Sequence, residues 1–174
     1  APGATYGGWG YLFGDEGSAF WLAREAVAES MRGADLGVAD DDARTQALLG
    51  TFGCDSLREL ARGFYGGVIS RSALARYAQR VIDDQRWAPL VARGARALAD
   101  LARAALDAHP SVLRRAALAG GLFTSPAYRG AVVRELSRVK PSIDIAPARY
   151  EPAIGALLLA YARGGLGVRE VRLA

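Results

Sequence analysis

Arg115-Ala116-Ala117-Leu118-Ala119-Gly120-Gly121, with Ser125-Pro126 four residues on, is the stretch on which the fold class turns. A short apolar run bounded by a glycine pair reads as a buried strand. Ser125 reads as an N-cap, with Pro126 at the first helical position, where its missing N–H costs nothing. The helix so opened extends to about Arg138, and Lys140-Pro141 closes it. Ser142 to Ala146 gives a second short strand that ends at Pro147. Glu151-Pro152 opens a last helix through Ala162, stopped by Gly164-Gly165. Strand, helix, strand, helix is the pattern of a parallel sheet with packed helices, so this part of the chain, about 112–165, is α/β. Two strands do not make a stable sheet by themselves, so further strands are expected from residues outside this sequence.

Upstream, about 18–108, the pattern is helical. Ser18 is an N-cap candidate, and Ala19, Ala23, Ala26, Val27, Ser30 and Met31 share one helical face up to Gly33. Asp40-Asp41-Asp42 suits the start of a second helix, because carboxylates favour the positive end of the helix dipole; it runs to about Phe52 and stops at Gly53. Ser56-Leu57-Arg58-Glu59 is a capping box for a third helix that ends at Gly66-Gly67. A fourth is expected from Ser70 to Asp84, and a long one from Trp87 to Ala108, broken by His109-Pro110. The loop from Asp35 to Ala39 is the expected mobile stretch.

Composition works mainly by exclusion. The 174 residues suit one compact domain, and 51% hydrophobic content is ample for a packed core. Cys54 is the single cysteine, so an internal disulfide or a cysteine-based metal site cannot form, and a small buried role is expected for it. His109 is the single histidine, which removes Ser-His-Asp and Cys-His catalysis from within the chain. The net charge is +4, yet 21 of the 22 basic residues are Arg, scattered singly beside Glu and Asp. Solvated helix faces explain that pattern better than nucleic-acid binding, which needs clustered charge and interleaved aromatics. No apolar run approaches the ~20 residues that cross a bilayer, and the start carries no signal-peptide pattern, so a soluble, cytoplasmic protein without membrane partners is expected.

The densest chemical signal runs from Gly7 to Ser18. Five glycines among its first eleven positions let the backbone approach a ligand closely. An aromatic ring with Asp15 and Glu16 at a helix start suits a sugar, since carboxylates accept hydrogen bonds from hydroxyls and a ring packs on an apolar face. A glycine-rich turn whose carboxylates simply favour the helix dipole explains the same residues equally well. Asp15 and Glu16, being adjacent, are expected to point in different directions, unlike a glycosidase acid/base pair. Gly120-Gly121, between a strand and a helix, could bring a nucleotide against bare backbone or could be a tight turn.

Gly8-Trp9-Gly10 followed by Gly14-Asp15-Glu16-Gly17-Ser18-Ala19 and Trp21 resembles the signature of N-acetylglucosamine kinases and of the wider BadF/BadG/BcrA/BcrD-type ATPase family. Leu118-Ala119-Gly120-Gly121 looks like that family's adenosine motif, and Pro152-Ala153-Ile154-Gly155-Ala156 like its closing helix. The resemblance implies the C-terminal lobe of a ribonuclease H-like (actin/hexokinase-like) fold. It implies an ATP- and Mg-dependent sugar kinase whose partners are an amino sugar and ATP, and a homodimeric parent. Gly8, Trp9, Gly10 and Asp15 then correspond to the sugar-binding side, and Gly120 and Gly121 to the nucleotide side. The segment from Ala73 to Ala75 lies where the family's helical subdomain approaches adenine.

The family's phosphate-binding Asp-Gly-Gly-Gly-Thr-type and Ser-Gly-Thr-Gly-type turns, and the catalytic aspartate between them, have no counterpart here. The chain therefore reads as a fragment, inactive alone, in which Mg is held mainly by parts not present. Two other readings remain: an activator ATPase of a 2-hydroxyacyl-CoA dehydratase-type enzyme, and a non-catalytic amino-sugar-binding module. Cys54 lacks the glycine-rich context that cluster-bridging cysteines of such activators have.

Overall fold

The hydroxyl of Ser18 accepts from the Trp21 N–H at 3.1 Å and opens the first helix, α1 (Ala19–Asp35). The computed structural model describes residues 5–37, 43–108 and 115–165. Within them follow α2 (Ala43–Phe52), α3 (Leu57–Tyr65), α4 (Arg71–Arg76), α5 (Ala78–Asp83) and the long α6 (Ala88–Ala108). The remainder is β1 (Arg115–Leu118), α7 (Pro126–Val139), β2 (Asp144–Pro147) and α8 (Pro152–Arg163). The result is a helix-dominated α/β structure with one small sheet. β1 and β2 pair in parallel, Arg115 opposite Asp144 and Leu118 opposite Pro147, and Arg115 and Asp144 also meet as an exposed ion pair at 2.7 Å.

Local chemistry sets most boundaries. Ser56 accepts from Glu59 N–H at 3.2 Å, and the Glu59 carboxylate reaches back to the Asp55 N–H at 2.8 Å, so the capping box closes one residue upstream of its cap. Ser125 and Pro126 open α7 as the sequence expects. Three boundaries differ. Gly33 does not end α1: an interior glycine costs only ~1 kcal/mol, and the turn is made instead at Gly37, whose φ is 74°. The helix expected over Ser70–Asp84 breaks at Tyr77, whose N–H bonds to the Leu74 carbonyl at 2.9 Å. That three-residue step tightens the helix while the Tyr77 ring buries itself 5.9 Å from Phe52. A 3-10 turn, Gln85–Trp87, precedes α6, held by Asp84 accepting from Arg86 N–H at 3.0 Å. The expected acidic helix start at Asp40 to Asp42, the break at His109-Pro110 and part of the Asp35-to-Ala39 loop lie outside the described residues.

One continuous core joins both halves. Leu22, Leu48, Val81, Trp87 and Leu90 from the helical part pack with Tyr128, Val132 and Leu136 of α7. Each such burial contributes roughly 1.5–3 kcal/mol before entropy is counted. α7 lies along α6, and their C-terminal ends are pinned by the Lys140–Asp107 ion pair. The start of α1 meets α6 backbone to backbone: a Cβ on Gly94 would lie 3.1 Å from the Gly17 Cα and 3.2 Å from the Trp21 ring. Cys54 is half-buried at the end of α2 rather than fully enclosed, because Gly53 has already turned the chain out of the helix. Burial first, then the Glu59 and Asp55 carboxylates, pushes its thiol up from the ordinary range, away from a reactive thiolate. α8 has no buried residue, and Leu157, Leu159 and Tyr161 are among its exposed apolar side chains. Among the described residues no helix is long and apolar enough to cross a membrane.

Helix glycines divide cleanly by this packing. Gly50 of α2 has open space where a Cβ would go, so Gly50→Ala should raise stability by up to ~1 kcal/mol. Gly94→Ala gains the same propensity but drives a methyl into backbone and Trp21, and should lower stability by about 1–3 kcal/mol. Urea unfolding midpoints of the two variants should move in opposite directions. Burial also raises the Tyr77 and Tyr128 phenols above their usual value of 10.0. A raised folded pKa leaves their contribution intact below pH ~10 and removes it as the pH climbs past that value. In a spectrophotometric titration these two phenols should ionise only together with unfolding.

Candidate functional site

Residues about a hundred positions apart in the chain line one open cavity of about 720 Å³. On one wall are Gly8, Asp15 and Glu16; on another are Gly120, Gly121 and Phe123. The α4–α5 segment supplies a third side through Ser72, Arg76 and Gln79. Most of the lining is apolar or bare backbone.

The acidic wall is shaped by its turns. Gly10 accepts from the N–H groups of Phe13 and Gly14 at 3.3 and 2.9 Å, and Asp15 accepts from Ser18 N–H at 2.9 Å. Asp15 takes φ 72°, a left-handed conformation that costs most residues about 1 kcal/mol and that Asp and Asn tolerate best. Helix α1 begins at Ala19, after the expected Ser18 cap, and Asp15 and Glu16 lie in the turn that precedes it. Both residues are in the cavity lining.

The opposite wall depends on one glycine. Gly120 has φ 125° and ψ 157°, a region open essentially to glycine alone, and its carbonyl accepts from Phe123 N–H at 3.1 Å. The 3-10 turn Gly121–Thr124 follows, then α7. The glycine pair thus lies just past the C-terminal end of β1, where α/β folds commonly receive ligands.

Of the six residues singled out in the sequence, Gly8, Asp15, Gly120 and Gly121 come together here. Trp9 and Gly10 do not line the cavity: the turn at Gly10 leaves the Trp9 ring outside it, 77% exposed. Ala75, in the segment expected near adenine, is in the lining. Sequence reasoning missed Ser72, Arg76 and Gln79. Their spacing puts them on one helical face, but nothing local marks that face as a cavity wall. It missed Tyr128 too, whose buried hydroxyl donates to the Gly17 carbonyl beside the acidic turn.

Chemically, the lining offers carboxylate acceptors for hydroxyl groups together with a stretch of bare glycine backbone. Arg76 adds a positive charge at the rim. Among the described residues no group of three or more His, Cys, Asp or Glu side chains is arranged to hold a metal ion.

No protein-family model matches the chain, and no curated protein matches it closely enough to name. Among solved structures, the fold is similar to that of a provisionally named N-acetylglucosamine kinase from Chromobacterium violaceum, with a TM-score of 0.67 and 28% sequence identity. That match covers 88% of this chain and 50% of the other, so the chain spans about half the length of the protein it resembles. In sequence and in fold, the chain is thus similar to the N-acetylglucosamine kinase family that its Gly8-to-Trp21 stretch resembles.

Proposed function

We propose that this chain is the C-terminal part of an ATP-dependent kinase that phosphorylates N-acetylglucosamine or a related amino sugar. The observation that carries the reading is the meeting of Gly8 and Asp15 with Gly120 and Gly121 on one cavity, in a fold similar to a kinase of that name. In this reading the chain is the second lobe of a ribonuclease H-like, actin/hexokinase-like fold, with a helical subdomain over about 18–108. The parent is cytoplasmic and homodimeric.

Asp15 accepts hydrogen bonds from sugar hydroxyls, with Glu16 beside it as a second acceptor. Gly8 forms the adjoining backbone wall, and Trp9 and Gly10 continue that same sugar-side loop. Gly120 and Gly121 receive the adenosine part of ATP against bare backbone. ATP supplies the phosphoryl group, and the residues of this chain contribute binding and orientation. The groups that hold the phosphates and Mg, and the base that takes the hydroxyl proton, belong to the rest of the parent, so the chain alone is inactive.

The test is ADP release by the intact parent against a panel of sugars. Release that depends on N-acetylglucosamine or a close relative is expected. Sugar-independent release would favour an activator ATPase, and no release would favour a non-catalytic amino-sugar-binding module. Asp15→Asn keeps a residue that accepts the left-handed turn and removes the charge. It should lower kcat/KM for the sugar by about 10- to 100-fold, the size expected for hydrogen bonds to a charged group. Unchanged sugar dependence would remove Asp15 from the site. Asp15→Gly should lose the same activity while raising stability by up to ~1 kcal/mol, because glycine relieves the positive φ.

A further inference from the structure

Tyr128 touches both walls of the cavity. Its ring is fully buried and lies 5.7 Å from the ring of Phe123, in the turn that follows Gly120. Its hydroxyl donates to the Gly17 carbonyl, 111 residues away in sequence. Its own backbone is fixed by Ser125, which caps α7 and accepts from the Tyr128 N–H at 3.4 Å. The bond therefore runs from the first turn of α7, beside the glycine pair, to the turn that carries Asp15.

Gly17 has little freedom of its own. Any Cβ there would lie 2.8 Å from the Gly94 carbonyl and from Leu98, and φ is 82°. The Ser18 N–H bonds to the Asp15 carbonyl at 2.9 Å, closing a turn around Glu16 and Gly17, so a displacement at Gly17 is also a displacement at Asp15. A left-handed aspartate persists only where its surroundings hold it. Packing against Gly94 restrains Gly17 from one side, and the Tyr128 hydroxyl restrains its carbonyl from the other.

We infer that the Tyr128 hydroxyl is a positioning group that holds the Asp15-to-Ser18 turn in register with the Gly120-Gly121 wall and so sets affinity on the acidic side. The naming of the two ligands rests on the kinase reading above; the anchoring itself does not. The phenol acts through Gly17 and makes no bond to the sugar. Removing it leaves a buried carbonyl without its partner and loosens the acidic turn, while the Phe123-to-Gly120 hydrogen bond still shapes the other wall.

The experiment is Tyr128→Phe in the intact protein, with two readouts. Amide hydrogen exchange should quicken about tenfold in the segment Asp15–Ser18 and stay unchanged across α6 and the rest of α7. KM for the amino sugar should rise about tenfold, while KM for ATP stays within about twofold. Unchanged exchange at Asp15–Ser18 overturns the inference. So does a uniform rise in exchange, or a parallel rise in both KM values, since either makes Tyr128 an ordinary core residue. Faster exchange confined to that segment, in a protein that shows no sugar dependence in any form, upholds the anchor and removes the kinase reading instead. Should Tyr128→Phe not fold, 3-fluorotyrosine at position 128, a stronger donor, should slow exchange of the same segment; no slowing overturns the inference.

Discussion

The backbone contact between Gly17 and Gly94 is the constraint on which the rest of this structure depends. Neither position has room for a methyl group, so the residue before the α1 cap and the middle of α6 meet in backbone contact. That approach fixes where the acidic turn ends. α6 also carries α7, and the first turn of α7 follows the glycine pair at the end of β1. Two segments more than a hundred residues apart thus share a cavity because one helix supports both. Arg93 reinforces the joint from outside, bridging Glu25 and Glu29 of α1 at 2.8 and 3.2 Å while lying over the Trp21 ring. Such exposed pairs add little energy, but they are consistent with a fixed α1–α6 geometry.

The cavity combines two kinds of surface that rarely serve the same ligand. Carboxylates beside flexible backbone suit groups rich in hydroxyls, whereas a glycine pair past a strand suits a flat heterocycle. A site that must bring two chemically unlike molecules together has reason to carry both. The strain at Asp15 belongs to the same picture. Aspartate is one of the residues that best tolerates the left-handed region, and here it does so between the turns at Gly10 and Gly17, in the cavity lining.

Much of this was legible in the sequence because it is written locally. Serine caps at Ser18, Ser56 and Ser125, the proline at Pro126 and the stops at Gly53 and Gly67 each act within a few residues of themselves. The strand–glycine–glycine–helix junction was legible for the same reason. What escaped was decided by contacts distant in sequence. Gly33 looked like a stop but continued as helix, because a nearby glycine, Gly37, was better placed to make the turn. The break at Tyr77 follows from where its ring finds a pocket beside Phe52, which no periodicity records. Ser72, Arg76 and Gln79 were readable as one face of a helix, but not as a face turned toward a cavity.

Near-exclusive use of arginine has a practical corollary at the far end of α7. Lys140 is the single lysine of the chain and is held by Asp107 of α6. It therefore presents one side-chain amine to any acylating dye. Fourteen helical residues separate it from the start of α7, a span of about 21 Å. A fluorophore placed there would stand clear of the cavity yet ride on the rod whose opposite tip borders it. Tilting of α7 against α6 could then be followed as a change in the emission of a single reporter.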